Sequence, residues 1–186
     1  MAQTSTTLSG EVSHKSDITG TDISFSASGG TYTISSTSTV LTGAGKLAAR
    51  DLITVAGTTN NNSTFTVKAV VSTTEFTVEE IVTTEASDGS TTVTLDHTGF
   101  VTDKEKGDGY YSQTDGVHTV AYHVGATLND DANIGLKMQG SLATTPTEDD
   151  WFDISGTAID QTNIDGSTLA FSANFTGNFV WVRAKV

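Results

Sequence analysis

The sequence contains no cysteine, one proline and only nine lysine and arginine residues in 186 positions. The lack of cysteine excludes disulfides, thiolate zinc sites and cysteine nucleophiles, so stability must come from packing and from subunit contacts. No stretch approaches the ~20 apolar residues of a membrane span, and Met1–Thr7 lacks the basic start and apolar run of a secretory signal. We expect a protein that stays in the cytoplasm unless it leaves as part of an assembly.

The scarcity of basic residues, set against 22 Asp and Glu, gives a formal net charge of -13. So negative a field repels phosphate backbones and anionic lipid headgroups. We therefore expect no nucleic-acid partner and no membrane partner, whereas protein surfaces and cations remain open. A role in solubility is the simplest interpretation of the acidity.

What the chain does contain is mostly Thr, Ser, Asn and Gly, with few helix formers. β-branched Thr suits a pleated surface, and Gly, Asn and Ser suit tight turns. The composition predicts an all-β fold with little helix, built from two small antiparallel β domains. One short helical turn fits at Lys46–Arg50.

Apolar and polar residues alternate with period two through the first half of the chain. This alternation predicts a hairpin across Gly29-Gly30, a second hairpin around the turn-rich 57–62, and two further strands near 75–79 and 92–95. Such a succession of short strands is typical of a small barrel or sandwich module over residues 17–100.

Charged residues and glycines cluster at 100–109, which we interpret as a domain boundary. A C-terminal β-sandwich or jelly-roll-like domain is then predicted over 101–186. In one topology a strand within 1–16 completes this sandwich and the 17–100 module is an insertion; sequential domains are the simpler alternative.

Within 101–186, strands are predicted at 117–124 and 134–142. A hairpin is predicted between 169–175 and 179–186, across Thr176-Gly177-Asn178. Because a free apolar terminus would fray, we expect the last strand to be a core element.

No motif for catalysis or cofactor binding is present, and the sequence predicts no cofactor, no metal site and no enzyme. His118 and His123 lie an odd number of residues apart on a strand and so face opposite ways, which argues against a shared metal. The segment 129–135 superficially resembles a calcium loop, and the carboxylates of 148–153 could hold a cation, but ordinary solvated turns are the simpler interpretation of both.

Aromatic residues in the C-terminal half are the candidates for an interface. Tyr110 and Tyr111 lie in the Gly-rich boundary, where an exposed pair could recognise a sugar or a protein. Core packing or a subunit interface is the expectation for the other four candidates, which are Trp151, Phe152, Phe179 and Trp181.

Two stretches resemble structural proteins of tailed-bacteriophage virions. The first reads from Asp51-Leu52-Ile53-Thr54-Val55-Ala56-Gly57 through the Asn60-Asn61-Asn62 turn to Ser63-Thr64-Phe65-Thr66-Val67 and Phe76-Thr77-Val78. The second comprises Lys137-Met138-Gln139-Gly140-Ser141-Leu142, Asp150-Trp151-Phe152 and the closing Gly177-Asn178-Phe179-Val180-Trp181-Val182-Arg183-Ala184.

This resemblance implies a virion component assembled in the host cytoplasm, and first a capsid decoration or cement protein. The implied partners are the major capsid protein or other virion proteins. Because paired sheet edges and buried apolar strands add stability that a small domain lacks, we also expect a homo-oligomer, and specifically a trimer. The alternative is a tail, fibre or baseplate protein that recognises host glycans. A glycan depolymerase is the third hypothesis, and the lack of a catalytic motif argues against it.

Overall fold

The computed structural model describes residues 5–10, 12–114, 116–123, 135–159 and 170–186. Within these ranges the regular structure is antiparallel β-sheet, apart from two short 3-10 turns, so the all-β prediction is confirmed. The chain divides into two compact units. The first unit is Glu11–Phe100, and the second unit combines Met1–Gly10 with Val101–Val186.

The first unit contains one seven-stranded sheet in the order β1-β7-β4-β5-β6-β3-β2. Its strands are β1 (Ile18–Gly20), β2 (Ile23–Ser28), β3 (Thr31–Ser36), β4 (Asp51–Ala56), β5 (Thr64–Ser72), β6 (Glu75–Val78) and β7 (Val93–Phe100).

The predicted hairpins of this unit are present. Gly29 and Gly30 adopt φ of 57° and 78°, the positive pair that a two-residue turn between β2 and β3 requires. Leu52 of β4 pairs with Thr66 of β5 in the second hairpin. The helical turn expected at Lys46–Arg50 is wrong: Leu47 bridges Thr42 and Arg50 has a φ of 78°, so the backbone makes an irregular turn.

Strand β5 bends the sheet around a single core. Phe65 pairs with Ile53 of β4, whereas Val70, further along β5, pairs with Phe76 of β6. Ile53, Phe65, Phe76 and Ile34 nevertheless belong to one buried cluster. The two halves of the sheet therefore face each other across this core, while the end strands β1 and β2 stay unpaired with each other, so the sheet does not close into a barrel.

An ion pair between the half-buried Lys15 and the buried Asp51 fastens the segment before β1 to the sheet. The Lys15 ammonium bonds the Asp51 carboxylate, which also accepts the Ala48 N–H at 2.6 Å. His97 Nε2 lies 3.5 Å from the other carboxylate oxygen, and the Lys15 N–H points at His97 Nδ1 from 3.3 Å. Asp51 and His97 are 3% and 2% exposed, so this cluster is part of the interior.

The second unit contains two sheets. Its strands are β8 (Glu105–Lys106), β9 (Val117–His123), β10 (Lys137–Ser141), β11 (Phe152–Asp153), β12 (Ala170–Thr176) and β13 (Trp181–Lys185). The 3-10 turns are Asp108–Tyr111 and Glu148–Asp150. One sheet has the order β11-β10-β13-β8, and the other pairs β9 with β12.

The two sheets share a core, as in a sandwich. Val182 and Ala184 of β13 pack in the same cluster as Tyr122 of β9 and Phe175 of β12. Burial raises the pKa of Tyr122 to about 12, and its hydroxyl donates to the Thr157 carbonyl at 3.1 Å. Residues 5–10 form no strand, but Leu8 packs against this core.

The hairpin predicted between 169–175 and 179–186 is wrong. β12 pairs with β9 in one sheet, and β13 pairs with β10 and β8 in the other. The chain changes sheets after Gly177, whose φ is 152°. The Phe179 ring fills the crossing point so closely that a Cβ on Gly140 would meet it at 2.7 Å, which ties the connection into the core.

Candidate functional site: an aromatic and basic sheet face

The outward face of the β11-β10-β13-β8 sheet carries a concentrated set of side chains. Since Val182 and Ala184 point into the core, the alternating residues Trp181, Arg183 and Lys185 lie on the opposite face. Strand pairing adds to that face the residues directly opposite them, namely Ser141, Gln139 and Lys137 on β10 and Lys106 on β8.

Every lysine and arginine of the second unit lies on this face. They are five of the chain's nine basic residues: Lys104, Lys106, Lys137, Arg183 and Lys185. Tyr110, Tyr111, Trp151 and Trp181 stand among them. We call this set of nine residues the aromatic–basic face, and its local excess of cations contrasts with the net charge of -13.

Arg183 is the anchored cation at the centre of the face. Its two terminal nitrogens donate to Glu148 at 2.8 and 2.7 Å, and its Nε donates to Gln139 Oε1 at 3.0 Å. The guanidinium lies 4.2 Å from the centre of the Trp151 ring and is 5% exposed. Three hydrogen bonds and a ring contact therefore engage Arg183 within the protein and hold Trp151 in place.

Replacing Arg183 by Lys is expected to lower the free energy of unfolding of the second unit by about 2 kcal/mol, because a lysine cannot make the two-pronged bond to Glu148. Urea denaturation followed by tryptophan fluorescence measures this change. Lys185→Arg is the charge-conserving control on the same strand. An Arg183→Lys variant as stable as the parent would contradict the anchoring role.

Lys104 and Lys106 are held differently, over aromatic rings. Lys104 Nζ lies 4.6 Å from the centre of the Trp181 ring, and Lys106 Nζ lies 4.1 Å from that of Tyr110. Both lysines are exposed. Among the described residues no carboxylate forms an ion pair with either of them.

Asp153 neutralises part of the far edge of the face. It accepts Lys137 Nζ at 2.6 Å and Gln139 Nε2 at 2.9 Å. Partial burial acts to raise the pKa of Asp153, but these two donors and the charge of Lys185 outweigh it and hold the pKa below 3.8. Lys137 is therefore compensated by an ion pair, unlike Lys104 and Lys106.

Four of the six predicted interface residues meet on the face. Tyr110 packs edge-on against Trp181 at 5.0 Å and against Tyr111 at 5.2 Å. Trp151 lies over Arg183, and the Trp181 indole donates to the Thr144 carbonyl at 3.0 Å. Tyr110 and Tyr111 are 43% and 56% exposed, so the outer end of this aromatic row faces solvent.

The other two predicted residues lie away from the face. Phe179 is 9% exposed and belongs to the core. Phe152 is opposite Gly140 in the sheet, on the core side, and its ring lies 5.9 Å from that of Phe179. It is 43% exposed, so it borders the core rather than joining Trp151.

The basic residues of the face were absent from the sequence-based candidates. The sequence contains a signal for them, because residues two apart on a strand point to the same face. Trp181, Arg183 and Lys185 have this spacing on the last strand, and Lys104 and Lys106 have it just before the 3-10 turn. Their meeting depends on the pairing of β13 with β8, where Trp181 opposes Lys106. Alternation alone does not specify that pairing.

Three of the four carboxylates considered for a cation in 148–153 have protein partners, and the fourth, Asp149, is exposed. Glu148 binds Arg183, and Asp150 accepts the Thr147 N–H and hydroxyl. In the described part of the chain no three His, Asp or Glu side chains group as a metal site requires. The other acidic loop, 129–135, lies outside the described residues except for Gly135.

The two histidines of β9 face opposite ways, as their spacing predicts. His118 stacks on the buried Phe175 ring at 5.0 Å, with Nε2 3.2 Å from Asp108 Oδ2, whereas His123 is exposed. Asp108 opens the 3-10 turn that carries Tyr110 and Tyr111. His118 thus contacts the turn that presents the tyrosines.

Comparison with known proteins identifies no family. No family model matches the sequence, and no curated protein or solved structure is significantly similar to it. Among the described residues, no helix is long and apolar enough to cross a bilayer.

Proposed function

We propose that the chain is a non-enzymatic structural protein of a tailed-phage virion, and that its aromatic–basic face docks on neighbouring major capsid subunits. The observation that carries the proposal is the gathering of all second-unit cations with four aromatic residues on one sheet face. Aromatic residues and arginine are the types enriched at protein interfaces. The sequence resemblance to virion proteins supports the choice of partner.

The charge distribution suits a decoration protein. A basic face on an acidic molecule orients its approach, because the face is attracted to a negative surface while the rest of the molecule is repelled. A protein that binds only the assembled shell stabilises that shell by mass action. A homo-oligomer, which we propose as a trimer, would multiply the contacts that each particle makes with the lattice.

A glycan-binding role on a tail, fibre or baseplate is the second candidate. It is favoured by the exposure of Tyr110 and Tyr111, since sugar rings stack on open aromatic faces. Against it, Lys106 already covers one side of Tyr110 and Lys104 one side of Trp181. Tyr111 is the most exposed aromatic ring of the face. One exposed ring provides less open aromatic surface than sugar-binding sites usually have.

Co-sedimentation with expanded capsids that lack the protein tests the proposal. We expect saturable binding by the parent chain and about tenfold weaker binding by the double variant Lys104→Gln/Lys106→Gln, which loses two docking cations. The matched control is Lys46→Gln/Lys68→Gln, which removes the same charge from the first unit and should bind as the parent does.

Two results would contradict the docking proposal. One is the absence of binding to capsids at any protein concentration. The other is glycan binding that disappears on changing Tyr110 and Tyr111 to Ala, which would assign the face to host recognition.

A further inference from the structure

We infer that the aromatic–basic face recognises carboxylate groups on an acidic protein surface, and that Lys104 and Lys106 are the residues that contact them. That the carboxylates belong to a protein rests on the proposed function. Arg183 is a positioning residue: it holds Trp151 in place and does not contact the partner itself.

The assignment follows from which cations are already compensated. Arg183 is buried and uses Nε and both terminal nitrogens on Gln139 and Glu148. Lys137 is bonded to Asp153, whose carboxylate also feels the charge of Lys185. Lys185 is half-buried and, like Lys104 and Lys106, forms no ion pair with the described residues. Lys104 and Lys106 differ from it because they are exposed and lie over aromatic rings.

The rings place these two ammonium groups for an anion. A lysine resting on an aromatic face loses part of its conformational freedom before it binds, so less freedom is lost on binding. Lys106 lies over Tyr110 and within 5.8 Å of the Tyr111 ring centre, and Lys104 lies over Trp181. Ring edges carry partial positive charge, so a carboxylate beside these rims meets positive charge from rings and ammonium groups alike.

The geometry disfavours the competing ligand classes. Sugar stacking needs open ring faces, and the two lysines cover one side of Trp181 and one side of Tyr110. A nucleic-acid backbone presents dense charge along its length, which the net charge of -13 repels beyond the small face. A few carboxylates on a folded surface fit two point charges without that penalty.

The chain contains an intrinsic reporter for this site. Its two tryptophans, Trp151 and Trp181, both belong to the aromatic–basic face. Displacement or neutralisation of Lys104 changes the environment of the Trp181 ring directly. Fluorescence therefore reports occupancy of the face without a label.

The test is titration of the full chain with tri-L-glutamate, a peptide short enough to present only a few carboxylates, with tryptophan emission as the readout. We expect tryptophan emission to change saturably as the peptide binds. The affinity should fall steeply between about 0.01 M and 1 M salt, because the Debye length falls from about 30 to 3 Å. Lys104→Gln/Lys106→Gln should bind about tenfold more weakly, and Lys46→Gln/Lys68→Gln as the parent does.

Several results would overturn the inference. Equal loss of binding in both double variants would show a general charge effect rather than a site. Tighter binding of a short hyaluronate fragment than of tri-L-glutamate would assign the carboxylates to a glycan rather than to a protein. Tighter binding of a single-stranded DNA trinucleotide would show that the face recognises phosphate rather than carboxylate.

The capsid assay separates this inference from the proposed function. Capsid binding that is unaffected by Lys104→Gln/Lys106→Gln would overturn the inference and leave the virion role standing. Binding of tri-L-glutamate that depends on both lysines, without any capsid binding, would support the carboxylate site and overturn the capsid role.

Discussion

Replacement of Asp51 by Asn is expected to lower the free energy of unfolding of the first unit by about 3 kcal/mol, because it leaves the half-buried Lys15 ammonium without its counter-charge. The side chains of Lys15 and Asp51 are only 16% and 4% exposed. Urea denaturation followed by circular dichroism measures the loss, and hydrogen exchange of the β4 amides locates it in this unit, which contains no tryptophan.

The same pair makes the effect depend on pH in a defined direction. Burial acts to raise the pKa of Asp51, but His97 and Lys15 outweigh it and hold the pKa below 3.8. Because the folded pKa is the lower one, the carboxylate stabilises the fold fully above pH 3.8 and loses this effect as the pH falls through the folded pKa. The parent and the Asp51→Asn variant should therefore converge in strong acid.

Asp149→Asn is the matched control for Asp51→Asn. Asp149 is exposed, and the substitution should change stability by less than about 0.5 kcal/mol. If Asp51→Asn were no more harmful than Asp149→Asn at neutral pH, the ion pair would have no role in holding the segment before β1.

Phe179→Ala has the largest expected effect in the second unit, a loss of about 3–5 kcal/mol, since it empties a buried aromatic site. The Phe179 ring lies 6.2 Å from Phe175 and fills the space that Gly140 and Gly177 leave open. Tryptophan fluorescence during urea denaturation reads out this unit alone, because both tryptophans belong to it.

Phe152→Ala is the matched control for Phe179→Ala, because it removes a phenyl ring from a neighbouring position. Phe152 is 43% exposed against 9% for Phe179, so its loss should cost clearly less stability. Equal losses in the two variants, or a larger loss for Phe152→Ala, would show that Phe179 does not fill the crossing between the two sheets.

The elements of the fold that local pattern determines could be predicted from sequence. The β2–β3 hairpin is an example, because Gly29-Gly30 supplies the positive φ pair and the alternation around it specifies the buried side. Which strand pairs with which could not be predicted in the same way. β12 and β13 alternate as cleanly as any hairpin, yet the crossing at Phe179 sends them into different sheets, and no local pattern encodes that choice.

The candidate site was predictable in its aromatic half only. Exposed tyrosines beside a Gly-rich boundary signal a contact surface, and Tyr110 and Tyr111 are exposed. The cations could not be assigned to the site from sequence, because they meet the aromatic residues only through pairing of strands that are distant in the chain. The pairing of β13 with β8, for example, brings Lys106 opposite Trp181. In a strongly acidic sequence, net charge also conceals a local basic patch, because the average hides the distribution.

Zero-length carbodiimide cross-linking of purified particles that contain the protein tests the docking face most directly, since this reagent joins a lysine to a carboxylate only where the two touch. Links from Lys104 or Lys106 to Asp or Glu residues of the major capsid protein are the expected result. Links to that protein formed only by Lys15, Lys46 or Lys68 of the first unit would contradict the assignment of the aromatic–basic face as the docking surface.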